Sequence, residues 1–328
     1  MLITKTPFRI SFCGGGSDIE DFYKEYGGCV LSTSINKYMY ISIHPYFNEK
    51  QTLLKYSENE LVDNIRDIRH KIFHRVLCDM DISGVEISST ADVPGGTGLG
   101  SSSTFTVGLL HTLYCYKGKF VSKERLAKEA CEVEIEKLGA PIGKQDQYAA
   151  ALGGLNFIRF HSDGFVSASP VLMQAETYQR LEQNLLLFYT GTVRSANEIL
   201  NEQKKNMTKA DKNENIKKMC CLAREMKEAL EQNDLSQFGS ILHESWELKK
   251  TLAGGISNEQ IDEAYARAIQ SGALGGKLLG AGGGGFLLFY CEPQYQEALR
   301  RNLGLREFEF QFERDGSSLV YIGDKYWR

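Results

Sequence analysis

Apolar residues recur along this chain with two periods, and the switches between them predict its elements. From Ile3 to Phe12 apolar and polar positions alternate as in a strand, until Gly14-Gly15-Gly16 breaks the pattern. Asp18 to Tyr26 predicts a short helix with Ser17 or Asp18 as N-cap, ended by Gly27-Gly28. Cys29 to Ile43 is rich in β-branched and aromatic residues and reads as strands, with a turn placed at Ser34 to Lys37. Leu61 to Met80 has helical periodicity, Val85 to Ser89 reads as a strand, and Thr104 to Tyr116 reads as a buried helix. Ser122 to Leu138 predicts a long helix capped at Ser122, and Gln145 to Leu152 a shorter one stopped by Gly153-Gly154. Leu155 to Phe160 and Phe165 to Ser169 read as a hairpin.

A polar, mixed-charge segment at residues 172 to 182 marks a change of domain, giving units 1–176 and 177–328. Beyond it, Leu185 to Tyr189 reads as a buried strand. Helical patterns follow at Ala196 to Gln203, Glu214 to Gln232, Leu235 to Thr251 and Asn258 to Ser271, with Asn201 to Asn215 expected as exposed loop or helix end. A strand at Phe286 to Tyr290, a helix at Gln294 to Asn302, and strands at Glu307 to Phe312 and Ser318 to Ile322 complete the chain.

Composition narrows the function classes. With 42% hydrophobic and 24% charged residues in 328, this is an ordinary globular protein. No apolar run approaches the ~20 residues of a membrane span, and the N-terminus lacks a signal-peptide core. Eight cysteines without Cys-x-x-Cys spacing suit reduced thiols, hence a cytoplasmic location. A net charge of −4 argues against nucleic acid as the partner. His70 and His74 lie one helical turn apart but lack a third ligand, so they read as solvated helix histidines rather than a metal site.

Two glycine-rich stretches carry the chemistry. Pro94-Gly95-Gly96-Thr97-Gly98-Leu99-Gly100-Ser101-Ser102-Ser103 joins a strand to a helix. Free N–H groups and the positive helix end there favour phosphate, and the serines offer hydroxyls to phosphate or magnesium. No Gly-Lys pair in the chain completes a Walker A motif. Gly280, Gly282 and Gly285 fit Gly-x-Gly-x-x-Gly by letter, but a strand-like run follows instead of a helix, which argues against a dinucleotide fingerprint. Arg9, on an apolar strand before a glycine turn, should face an anion. Asp146 starts a helix after a Pro/Gly break, where its carboxylate is held in one place.

The first stretch resembles the Pro-x-x-x-Gly-Leu-Gly-Ser-Ser-Ser/Ala signature of the galactokinase, homoserine kinase, mevalonate kinase and phosphomevalonate kinase (GHMP) superfamily. Lys277 to Gly285 resembles its third motif, and Pro7 to Ser11 with Gly14 to Asp18 its first. The implied fold is α+β in two domains. The N-terminal one is similar to domain 2 of ribosomal protein S5, the C-terminal one is ferredoxin-like, and the active site lies between them.

The resemblance implies ATP on Pro94 to Ser103, magnesium on Ser102 and Glu134, Asp146 as the base for a sugar hydroxyl, and Arg9 beside it. It implies sugar contacts from Ser17 and Asp18, and places Gly282 and Gly283 beside the substrate. The Gly143-to-Gln147 spacing fits the sugar-kinase branch rather than mevalonate kinases, and the absent Glu-His before Ser17-Asp18 argues against galactose. Gly-Lys-Gln-Asp-Gln-Tyr-Ala-Ala and Phe-Tyr-Thr-Gly-x-x-Arg-x-Ala are most similar to the D-glycero-D-manno-heptose 7-phosphate kinase branch. That implies a sugar phosphate substrate, with Arg194 meeting its phosphate. A 1-kinase for an unphosphorylated sugar such as fucose or galactose, or a non-catalytic sensor of ATP and sugar, are the rival expectations. None of these motifs encodes an oligomeric state.

Overall fold

The structure, a computed structural model, describes residues 1–192, 196–206 and 210–323. Its first sheet is built on two long strands, β1 (Leu2–Cys13) and β2 (Gly28–Pro45). They pair antiparallel from Leu2 opposite Ile43 to Cys13 opposite Leu31. The turn expected at Ser34 to Lys37 is absent. Instead the register shifts between Pro7 and Phe8, where Pro7 faces Tyr38 and Phe8 faces Ile35, so Asn36 and Lys37 bulge from the ladder. Asn36 then bonds Gln311 through its own N–H and side-chain oxygen.

Strands β3 (Thr52–Lys55), β4 (Asn59–Val62) and β5 (Val85–Ala91) extend the sheet on one side of β2. The helix expected over Leu61 to Met80 therefore begins late. Its first part is β4 and a turn of 3₁₀ helix at Ile65–Asp67 capped by Asn64, and the helix proper, α2, is Lys71–Met80. His70 is the N-cap of α2 and packs against Tyr56, Phe73 and Phe105, so it is half-buried rather than solvated. Burial lowers its pKa.

The expected hairpin forms from β6 (Leu155–Phe160) and β7 (Val166–Pro170), with β6 on the first half of β2. Helices α3 (Ser101–Tyr116) and α5 (Gln145–Leu152) pack on β1 and β2. Helix α1 (Glu20–Tyr26) starts later than expected: its N-cap is Ile19, with no side-chain cap bond.

The second sheet has four antiparallel strands: β8 (Leu185–Tyr189), β9 (Ala273–Leu278), β10 (Phe286–Cys291) and β11 (Arg306–Glu307). Their spatial order β11-β8-β10-β9, with helices after β8 and β10, is the ferredoxin-like βαββαβ arrangement. Helix α6 (Ala175–Asn184) fills the segment read as a boundary. Helices α7 (Ala196–Asn206), α8 (Ala210–Glu231), α9 (Leu235–Lys250) and α10 (Glu259–Gln270) lie between β8 and β9 in sequence, so the polar stretch at Asn201 to Asn215 is mostly helix.

After helix α11 (Pro293–Leu303) the chain crosses from one sheet to the other. The single strand expected over Glu307 to Phe312 is two: β11 on β8, then β12 (Phe312–Glu313) on β2. The last strand, β13 (Ser318–Ile322), pairs with β1. The C-terminal segment thus completes the first sheet.

Helix α9 joins the two sheets through a ladder of rings. Phe12 of β1 meets Phe238 of α9 edge-on with centroids 5.3 Å apart, and Phe238 lies 5.7 Å from Tyr290 of β10. All three side chains are fully buried. Phe238→Ala is expected to lower unfolding stability by about 3 to 5 kcal/mol, the range for emptying a buried aromatic site. A loss under ~1 kcal/mol in chemical denaturation would show that the ladder does not tie the sheets together.

Candidate active site

Each of the three glycine-rich motifs ends at the same place. Arg9 leaves β1 with only 5% of its side chain exposed. Its Nε and Nη2 donate to the two carboxylate oxygens of Asp146, each at 2.8 Å, and its Nη1 donates to the Gly98 carbonyl at 2.5 Å. A planar guanidinium and a carboxylate fit this two-bond geometry, which locks the orientation of both. Asp146 lies in the first turn of α5 and keeps 23% of its side chain exposed. A carboxylate has about four lone-pair sites, so two remain for a ligand.

The glycine-rich stretch before α3 lies against this pair. Gly100 is the N-cap of α3 in the left-handed conformation, φ 79°. A Cβ there would lie 3.2 Å from Asp146 Oδ2 and 3.4 Å from the Arg9 side chain. Any larger residue would push the helix N-terminus away from the carboxylate. Two residues earlier, a Cβ on Gly98 would lie 2.4 Å from the Leu279 carbonyl, and one on Gly285 would lie 2.3 Å from that of Thr97. The two glycine loops therefore interlock backbone to backbone. Leu99 and Thr97 point into the protein, fully buried, and anchor the loop from beneath. Gly96, Gly98, Gly100 and Ser101 to Ser103 face a cavity of ≈ 340 Å³, while Pro94, Gly95, Thr97 and Leu99 do not line it.

Glu134 comes to this cavity from a wide, π-type turn at Glu132–Lys137 that interrupts the expected helix after α4 (Lys123–Cys131). Extra backbone width at such a turn re-aims a side chain, a recurrent feature of functional sites. Glu134 is only 2% exposed. It accepts bonds from Ser102 Oγ at 2.6 Å and Gln147 Nε2 at 2.7 Å. Among the described residues no cation pairs with it, and burial raises its pKa. A buried carboxylate beside an exposed hydroxyl, with no cation of its own, is a hard-oxygen donor set that suits magnesium. No group of three His, Cys, Asp or Glu side chains forms a metal cluster among the described residues. Magnesium bound with a nucleotide needs only one or two protein oxygens, because phosphates supply others.

A second cavity, ≈ 80 Å³, opens on the other side of Arg9 and Asp146. Asp18 lines it, 3% exposed. Its Oδ1 accepts from Gly16 N at 2.9 Å and Gln145 Nε2 at 3.1 Å, and its Oδ2 accepts from Gln145 N at 3.2 Å. Burial, then the nearby Asp146 carboxylate, raises its pKa. Glycine is required at 143, because a Cβ there would lie 1.9 Å from Asp18 Oδ2.

Three of the expected sugar-site residues fall elsewhere. Ser17 is fully buried, and its hydroxyl bonds Gly14 O, Cys29 O and Cys29 N within the turn, so it closes the loop rather than touching a ligand. Gly282 lines the larger cavity, not the one at Asp18. Gly283 donates its N–H to Ile256 O at 3.0 Å and lines neither. Arg194 lies outside the described residues. Sequence reasoning missed Gln145, Gln203, Lys249 and Lys277, all on the smaller cavity. Lysine and glutamine carry no sequence signal of burial, although Gln145 and Lys277 stood inside recognised motifs.

Raising the pKa of Glu134 means that the folded chain holds its proton more tightly than the unfolded chain. The corresponding stability is present below the ordinary carboxylate range and is lost as pH rises through the raised folded value. In Glu134→Gln the amide can face Ser102 and the oxygen Gln147, so the loss disappears. Without added metal, the melting temperature of the variant relative to wild type should climb as pH is raised past ~5. A difference that stays flat or falls with pH contradicts the account of this carboxylate.

Residues 60–154 match the GHMP kinases N terminal domain family, and residues 226–308 match GHMP kinases C terminal. The chain is 32% identical to a D-glycero-alpha-D-manno-heptose 7-phosphate kinase of Campylobacter jejuni, over 95% of this chain and 97% of that protein. It is 27% identical to a galactokinase of Pyrococcus furiosus, over 95% and 94%. A crystal structure of a D-glycero-D-manno-heptose 1-phosphate kinase from Bacteroides thetaiotaomicron superposes with a TM-score of 0.80 at 28% identity, covering 99% of this chain and 100% of the other. The paired Arg9 and Asp146, the interlocked glycine loops and the two-sheet fold are thus accounted for together: the chain belongs to the GHMP kinase family.

Proposed function

We propose that this kinase transfers the γ-phosphoryl group of ATP to the anomeric hydroxyl of D-glycero-D-manno-heptose 7-phosphate, giving the 1,7-bisphosphate. The observation that carries the reading is the position of the Arg9–Asp146 pair. Both residues line both cavities, so a group held in one can react with a group held in the other. The likeness over nearly the full length to the Campylobacter jejuni heptose 7-phosphate kinase supports the choice of sugar. The printed name of the Bacteroides thetaiotaomicron protein gives the 1-phosphate instead. Identifying the phosphorylated carbon by phosphorus NMR of the product separates the two.

In this mechanism the ATP phosphates lie on Gly96 to Ser103, against the N–H groups and positive end of α3. Ser102 and Glu134 would hold magnesium, which when bound offsets the charge of the phosphates. Asp18 accepts hydrogen bonds from sugar hydroxyls. Asp146 takes the proton of the attacking hydroxyl as its oxygen bonds to the γ-phosphorus and the bond to ADP breaks. Arg9 keeps the carboxylate aimed and brings positive charge to the phosphoryl group in transit. Most of the acceleration comes from positioning and fixed charge, since this reaction asks little covalent work of the protein.

The division of labour follows residues 1–176 for nucleotide and base and residues 177–328 for the opposite wall. No helix among the described residues is long and apolar enough to cross a membrane. Every cysteine is a free thiol, which suits the proposed cytoplasmic site of action. A purely regulatory ATP and sugar sensor has no need of an aimed base, and Asp146 is aimed.

Asp146→Asn should keep ATP and sugar binding while turnover falls by about 10²- to 10⁴-fold, as for loss of a general base. Turnover near wild type would remove Asp146 from that role. Ser102→Ala and Glu134→Gln should each raise the magnesium concentration needed for half-maximal rate more than they raise KM for the sugar. Magnesium titrations that coincide with wild type would refute the ligand assignment.

A further inference from the structure

Gly16, Gln203, Lys249 and Lys277 line the smaller cavity and not the larger one, as do Asp18 and Gln145. Its cations are not balanced in the usual way. Lys277 is 6% exposed and donates to the Ser11 and Phe12 carbonyls at 2.7 and 3.1 Å, so it ties β9 to β1. Lys249, near the end of α9 and 7% exposed, makes a single hydrogen bond among the described residues, to Gln203 Oε1 at 3.1 Å. Neither forms an ion pair among the described residues. An ammonium carries three donors, so two on Lys249 remain unused.

Gln203 of α7 adds a second, independent observation. It is 1% exposed, and its Nε2 has no hydrogen-bond partner among the described residues. That nitrogen stands over Gly16, where a Cβ would lie 2.4 Å from it and 3.8 Å from Lys249 Nζ. The Asp18 carboxylate nearby is already occupied by Gly16 and Gln145. Unmet donors on a buried amide and a buried ammonium therefore converge on one end of the cavity. Each is unfavourable in the empty protein, because a buried polar group without a partner keeps its desolvation penalty. Burial pushes the Lys249 amine down to about 8, more than the attraction of the nearby Asp18 carboxylate restores, and burial with the neighbouring cations pushes that of Lys277 to about 7.

We propose that Lys249 and Gln203 form the seat for the phosphate that the sugar already carries, with Lys277 adding positive field behind them. The seat rests on the reading of this chain as a kinase of a phosphorylated sugar and gives that reading its specificity element. A dianion supplies several acceptor oxygens, enough for the free donors of both side chains. Both residues lie outside the three glycine motifs, on helices α7 and α9. The specificity is thereby carried by the C-terminal half, while the base and phosphate loop come from the N-terminal half.

The test is calorimetric binding of D-glycero-D-manno-heptose 7-phosphate and of the unphosphorylated heptose to wild type, Lys249→Met and Gln203→Glu, with thermal melts and turnover assays alongside. Each variant should weaken the sugar phosphate by about 10- to 100-fold, the range for a charge-assisted hydrogen-bond pair, and weaken it at least about tenfold more than the unphosphorylated sugar. Lys249→Met should melt at or above the wild-type temperature, since it replaces a buried unpaired cation with an apolar chain of similar length. A merely structural lysine would lower it. Equal weakening of both sugars, sugar-phosphate affinity within about threefold of wild type in both variants, or no binding of the sugar phosphate by wild type overturns the seat. Wild type that binds the sugar phosphate through Lys249 but never phosphorylates it leaves the seat standing and refutes the kinase reaction proposed. Turnover of the sugar phosphate that both variants retain with wild-type KM does the reverse.

Discussion

The ion pair of the buried Arg9 with the partly exposed Asp146 is the constraint on which the site depends. Taking a guanidinium and a carboxylate from water costs several kcal/mol each, and only good geometry with further hydrogen bonds offsets it. Here the geometry is two parallel bonds at 2.8 Å, and the third donor group reaches the Gly98 carbonyl. Removing the Asp146 side chain altogether would strand the buried guanidinium, a loss of roughly 3 to 5 kcal/mol, whereas Asn at 146 keeps an oxygen for it. The pair therefore fixes β1, α5 and the glycine loop relative to one another. The absence of a side chain at Gly100 is what lets the N-terminus of α3 come close enough to share that point.

Around this satisfied pair stand groups that are not satisfied. Among the described residues Glu134 lacks a cation, and Lys249 and Gln203 have donors left over. Each lowers the stability of the empty protein, and each is of the sign that a nucleotide–magnesium complex or a sugar phosphate would complete. This is the usual trade of stability for function, with the strain confined to the walls of two adjoining cavities. Away from these walls, the ring ladder through Phe238 joins the sheets by apolar contact, alongside the Lys277 bonds to β1.

The glycine motifs, β1, α3, α5 and the β6–β7 hairpin were legible because local chemistry specifies them: alternation, helix caps and turn residues. Asp146 at a helix start and the glycine-rich loop before α3 stood out for the same reason, and their roles are proposals that rest on the resemblance. What escaped depends on partners distant in sequence. Leu61 to Met80 has helical spacing, yet its start is claimed by the pairing of β4 with β3. Strand β9 was hidden by Gly275 and Gly276. A Cβ on Gly275 would lie 2.1 Å from the Gly239 carbonyl, so the strand needs glycine to lie against α9. The crossing from β11 to β12 follows from what each end meets, β8 and then β2. Ser17 was misplaced because a serine in a turn serves a ligand or the backbone equally well, and here the backbone holds it. Lys249 and Gln203 looked like any helix surface residues until the fold buried them.

The Arg9–Asp146 pair is the proposed meeting point of phosphoryl donor and sugar. A crystal structure of the protein with the heptose 7-phosphate and a non-hydrolysable ATP analogue tests it most directly. The account predicts the anomeric oxygen at about 2.6 to 3.2 Å from an Asp146 carboxylate oxygen, with the γ-phosphate between that oxygen and the N-terminus of α3. An anomeric oxygen bound to another side chain, or a nucleotide whose phosphates lie away from Gly96 to Ser103, would contradict it.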